Sequence, residues 1–205
     1  MALVSSAPVM ADSSNWKVGY YTPSPHGALS FASADQSAGI ATLNFTDQAN
    51  TALLVTTHGA YKGSTLGDLK GQTISATFHI SGATGAFNYF GEPDACGTPA
   101  STRLFFQTSN AGGFNETHYW WSNPVSAVLA NTSTPITMSA SLSDPGAWSD
   151  FYGHFGNDPA FPGFTDAVSN VTTIGLSFGG GCFFENGVGT TNGSGTFTLD
   201  IFNVS

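Results

Sequence analysis

Gln72-Thr73-Ile74-Ser75-Ala76-Thr77-Phe78-His79-Ile80-Ser81 alternates apolar and polar residues without interruption. In an extended chain Ile74, Ala76, Phe78 and Ile80 fall on one face and Thr73, Ser75, Thr77 and His79 on the other, the period of a half-buried strand. The first set is expected to face a core. Ile136, Met138, Ala140 and Leu142 repeat the pattern over 136–142. Working outward, short runs of strand-forming residues bounded by Gly, Pro, Asn or Asp recur at 16–21, 28–31, 39–45, 52–57, 86–90, 102–108, 118–121, 173–178 and 195–202. That rhythm predicts an all-β fold, a two-sheet β-sandwich or jelly roll.

One region breaks the rhythm. Trp148, Phe151, Tyr152 and Phe155 have the spacing of a helical turn, and Asp144-Pro145 can cap one. One or two short helical turns are therefore expected near 145–168. Trp148, Phe151 and Phe155 are expected to bury their side chains there, since so short a helix is stable only when packed.

Composition agrees with a packed β protein. The chain has 205 residues, long enough for one sandwich with a full core, and 17 Phe to fill it. No linker, repeat or low-complexity segment divides it, so residues 12–205 read as one domain. Only 8% of residues are charged, and the net charge is −9. The basic residues are Lys17, Lys62, Lys70 and Arg103. So few cations cannot form the phosphate-binding patch on which nucleic-acid affinity rests, and strongly anionic surfaces are disfavoured for the same reason. No run approaches the 18 or so apolar residues of a membrane-spanning helix.

Val9 and Ala11 have the spacing of a signal-peptidase site, so residues 1–11 read as the remnant of an export signal or a disordered leader. Cys96 and Cys182 both lie in loop contexts without metal-ligand spacing. A disulfide between them fits an extracellular protein.

The C-terminal part has a recognisable order. A strand at 136–142 and Trp148 are followed by Asn170-Val171-Thr172-Thr173-Ile174-Gly175-Leu176-Ser177-Phe178, a Gly-rich turn, and Ser194-Gly195-Thr196-Phe197-Thr198-Leu199-Asp200-Ile201-Phe202. This resembles the closing strands of jelly-roll carbohydrate-binding modules of the galactose-binding-like type, over about a third of the chain. The insertion Gly179 to Gly187 and the Cys-containing loop before Arg103 depart from that pattern. The resemblance implies glycan binding without a required cofactor. It also implies a structural calcium in many such modules, with Asp200 at the matching position; calcium needs six or more oxygen ligands.

Neutral sugars are bound by flat aromatic faces and a few oriented polar groups, and the sequence concentrates both. In His118-Tyr119-Trp120-Trp121-Ser122-Asn123 the two tryptophans must face opposite ways on a strand. One belongs to the core, and the other is expected as an exposed platform, with Tyr119 on the side of Trp121. Arg103, Phe105 and Gln107 share a face opposite Leu104 and Phe106, where Arg103 and Gln107 can bond sugar hydroxyls. An ion pair of Arg103 with Glu92, Asp94 or Glu116 is the alternative. Glu116 and Asn123 are candidates for the rim.

Two other classes stay open. A neutral, Gly/Ser/Thr/Asn-rich chain suits a self-assembling subunit of an extracellular filament or cell-surface layer. A glycoside hydrolase would need a converging carboxyl pair, for which Glu92, Asp94, Glu116 and Glu185 are available. Gly175-Leu176-Ser177-Phe178-Gly179 mimics a nucleophile elbow but reads as strand interior, not as a strand-to-helix turn.

Overall fold

The computed structural model describes residues 15–22, 27–48, 50–57, 66–90, 98–109 and 112–205. The expected leader, together with Glu92, Asp94 and Cys96, lies outside the described residues. Strands form where the alternation places them: β1 (Trp16–Thr22), β2 (Ala28–Ser33), β3 (Ala41–Phe45), β4 (Thr51–Thr56), β5 (Thr73–Ser81), β6 (Ala86–Tyr89) and β7 (Ser101–Thr108). They continue with β8 (Tyr119–Ser122), β9 (Ala127–Val128), β10 (Thr132–Ser141), β11 (Trp148–Ser149), β12 (Val171–Gly179), β13 (Val188–Thr191) and β14 (Gly195–Val204). One α-helix among the described residues, α1 (Phe164–Ser169), precedes β12.

All pairings are antiparallel and make two sheets. The larger runs β11-β8-β7-β12-β4-β1-β2, with β13 joining β4 to β6 and β9 attached to β7; the smaller runs β10-β5-β14-β3. The fold is thus the expected all-β sandwich. β9 and β11 are two residues long and β13 has one large apolar residue, so none of them has a period to read. β10 extends further back than its alternation, through Pro135, where its register with β5 breaks. Proline lacks the ladder donor and is tolerated because β10 lies at a sheet edge.

The core lies between the sheets. Ile74, Phe78 and Ile80 of β5 face it, as do Leu104 and Phe106 of β7 and Ile174, Leu176 and Phe178 of β12. Phe197 links the layers, stacking on Phe78 at 4.8 Å between ring centroids and meeting Phe178 edge-on at 5.3 Å. Late in β14 the register against β5 shifts between Leu199 and Ile201. That bulge turns Asp200 and Ile201 outward together and returns Phe202 to the core.

The expected helical turn at Trp148 is not present. Asp144 caps a 3₁₀ turn at Pro145–Ala147, its Oδ1 accepting from the Gly146 amide, and Trp148 then pairs with Ser122 as part of β11. Trp148 is fully buried, but Phe151 is 51% and Phe155 40% exposed, against the expectation that both pack with it. The true helix comes later, where Phe164, Ala167 and Val168 share the spacing of one helical face and bury it. Phe164 meets Trp120 edge-on at 5.0 Å.

Candidate functional site

β7 and β8 are covered on both faces. Trp120 lies in the core with no exposure, its Nε1 donating to the Thr117 carbonyl at 2.7 Å. Trp121 points to the opposite face of the large sheet, beside Phe105, Leu53 and Val55, and forms a second apolar cluster there. The opposition of the two tryptophans is therefore as expected, but Trp121 is not an exposed platform. It is 4% exposed because Tyr119, Phe151 and Phe184 surround it, with ring centroids 6.2, 6.2 and 6.3 Å away.

Two loops provide that cover. The first follows β11, where buried Asp150 organises a tight turn: its Oδ1 accepts from the amides of Tyr152 at 3.0 Å and His154 at 2.9 Å. Its Oδ2 lies 3.1 Å from His154 Nδ1. The turn thrusts Phe151 and Tyr152 outward, the latter 64% exposed. Phe151 also meets Phe114, at 5.0 Å.

The second loop follows β12. At Gly179, Gly180 and Gly181 an added Cβ would lie 2.0 Å from the Phe183 carbonyl oxygen, 2.3 Å from the Tyr89 ring and 2.7 Å from Thr98 Oγ1. Only glycine permits that approach. The run folds back so that Gly180 donates to the Phe183 carbonyl at 2.8 Å, and Phe183, Phe184 and Glu185 project over the sheet face toward β1. The Tyr21 hydroxyl on β1 ties the loop down by donating to the Glu185 carbonyl at 3.1 Å.

Between the loops lies a cleft of about 510 Å³, lined by aromatic side chains from both together with Tyr21, Trp121, Asp150, Glu185 and Asn186. Glu185 is half-buried, and desolvation in the cleft pushes its carboxyl up to about 8. Burial and then the neighbouring Glu185 push the Tyr21 phenol up to about 12.

Arg103 shares the outer face with Phe105, as its alternation implies, but it does not line the cleft. It is 7% exposed, donates from one terminal nitrogen to the Ser122 carbonyl at 2.7 Å, and stacks on Phe184. No carboxylate among the described residues pairs with it. Desolvation lowers its pKa to about 10. Gln107, half-buried, pairs across the sheet with Tyr119. Glu116 sits in the 3₁₀ turn before β8, where its carbonyl accepts from Phe151. Asn123 holds β8 to β11, donating from Nδ2 to Ser149 Oγ at 3.2 Å, and is not among the cleft residues. Asp200, on the outer face of the small sheet, lies 2.9 Å from His79 Nδ1 through its Oδ2. Among the described residues no three His, Cys, Asp or Glu side chains group as metal ligands. Cys182 lines the cleft and is not a free thiol.

Tyr21, Asp150, Phe151, Tyr152, Phe183, Phe184 and Asn186 line the cleft although the sequence marks none of them as a binding candidate. The signal was present as aromatic pairs in Gly- and Asp-rich loops, but nothing local tells which loops meet.

No family model matches the chain, and no curated protein matches its sequence. Among solved structures it is similar to a xylan-binding module CBM15, at 13% identity over 93% of this chain and 95% of that chain, with a TM-score of 0.44.

Proposed function

We propose that this protein is a carbohydrate-binding module-like protein that recognises a neutral glycan, one free of carboxylate and sulfate groups, in the cleft between the Phe151 and Phe184 loops. One observation carries the reading: exposed aromatic faces line a cleft together with a few polar groups and without a lysine, arginine or histidine. Aromatic faces suit the C–H surfaces of pyranose rings, and the polar groups can orient hydroxyls. Tyr119 and Trp121 support the floor, Arg103 supports Phe184 from beneath, and Gln107 and Glu116 flank the aromatic cluster.

Retention on insoluble polysaccharides, compared between the parent protein and Tyr152→Ala, tests the reading. The parent should be retained, and the variant should lose about 1–3 kcal/mol of affinity with its fold intact. Release of reducing sugar in the same tubes would favour a hydrolase, in which Asp150 and Glu185 are the carboxyls of the cleft. Assembly without glycan retention would favour the filament or surface-layer class.

An extracellular location belongs to the same proposal. A structural calcium at Asp200 would have to displace or share the His79 contact. A chelator should lower the melting temperature if calcium is bound there, and should leave it unchanged in Asp200→Asn.

A further inference from the structure

The two carboxyls of the cleft differ in their surroundings. Asp150 is fully engaged by the amides of its own turn and by His154. Glu185 engages none: the bond at this residue comes from Tyr21 to its main-chain carbonyl, and no described side chain donates to or ion-pairs with its carboxyl. Yet it lines a cleft walled by Trp121, Phe151, Tyr152, Phe183 and Phe184. An unpaired carboxyl among aromatic faces is complementary to a cation, which the ring quadrupoles attract and the carboxylate neutralises. The nearby Arg103 does not fill that role, because it is held at Ser122 and Phe184 and is not part of the lining.

We propose that the cleft selects a glycan carrying free amines, a 2-amino sugar unit within an otherwise neutral chain, by placing its ammonium against the Glu185 carboxylate and the aromatic walls. This rests on the glycan-binding reading above and narrows it. The titratable groups around the cleft are Tyr21 from β1, whose phenol Glu185 pushes up, and Asp150, which lines the same cleft and is tied to His154; Arg103 stacks on Phe184. In the free protein desolvation keeps the Glu185 carboxyl protonated near neutrality. An entering ammonium therefore displaces that proton to solvent and leaves a carboxylate–ammonium pair.

The test is calorimetric titration at about pH 6, below the raised value of the Glu185 carboxyl and below the usual range of a free amine, in two buffers of different ionisation enthalpy. The probes are a partially deacetylated chitin oligomer and its fully acetylated counterpart of equal length. The deacetylated oligomer should bind about tenfold more tightly, a gain within the range of a desolvated cation–π contact. Its binding should release a proton. In Glu185→Gln, with melting temperature at that pH as the check on folding, the proton release should vanish and the two oligomers should bind with equal affinity, whatever the variant's overall affinity. Affinities within about twofold of each other, or a preference that survives in Glu185→Gln, would overturn this inference and leave the neutral-glycan reading standing. Binding of neither oligomer, nor of any neutral polysaccharide, would overturn both.

Discussion

The guanidinium carbon of Arg103 lies 4.0 Å from the centroid of the Phe184 ring. This stack joins the floor of the large sheet to the loop that forms one wall of the cleft, and it uses the chain's only arginine. The planar guanidinium both stacks and donates to the Ser122 carbonyl, which an ammonium cannot do in the same geometry. Arg103→Met should therefore lower stability by about 1–3 kcal/mol, and Arg103→Lys should recover little of it. Urea unfolding of the three proteins decides the matter; equal midpoints would count against the stack as a structural link.

Trp148 has no exposed surface, meets Phe106 edge-on at 5.1 Å, and donates from Nε1 to the Ser141 carbonyl at 2.9 Å. Trp148→Ala creates a cavity and removes the shorter of two bonds to that carbonyl, which keeps the Asp144 amide at 3.3 Å. The expected cost is about 3–5 kcal/mol, read as a large fall in melting temperature. Phe151→Ala, by contrast, removes a half-exposed ring and should move the melting temperature little while weakening ligand binding.

Glu185 gives stability a pH dependence of definite sign. Its carboxyl titrates at about 8 in the folded protein, against about 4.3 when unfolded. Between those values the folded chain retains a proton that the unfolded chain has lost. Its contribution to stability is therefore fully present below the unfolded value, falls as pH rises through the window, and is gone above the folded value. Glu185→Gln, which mimics the protonated form, should match the parent at acid pH and exceed it in melting temperature on the alkaline side. Parallel pH profiles for the two proteins would refute this.

A pairing of Cys96 with Cys182, as the sequence leads one to expect, would tie the second loop to a segment distant in sequence. In the chain-entropy model a bridge between cysteines so far apart in sequence stabilises by up to roughly 4–5 kcal/mol. A thiol count on denatured protein from an oxidising compartment should find none, and reduction should lower both melting temperature and glycan retention. Two titratable thiols would contradict the pairing.

The sequence by itself determined the alternation of β5, the opposition of Trp120 and Trp121, and the shared face of Arg103, Phe105 and Gln107. Each follows from the period of two that an extended backbone imposes on adjacent side chains. Only the tertiary structure decided that Trp121 would be covered and that Phe151 and Tyr152, rather than either tryptophan, would present exposed rings. β11 is too short to show a period, and it brings the Asp150 turn beside β8 by pairing Ser149 with Trp121. The Gly179–Gly181 run reaches the same face because it packs against Tyr89 and Thr98, residues distant in sequence. Alternation is a local property of the chain, whereas the meeting of two loops depends on pairings between remote segments, so the cleft exists only once the large sheet has brought those segments together.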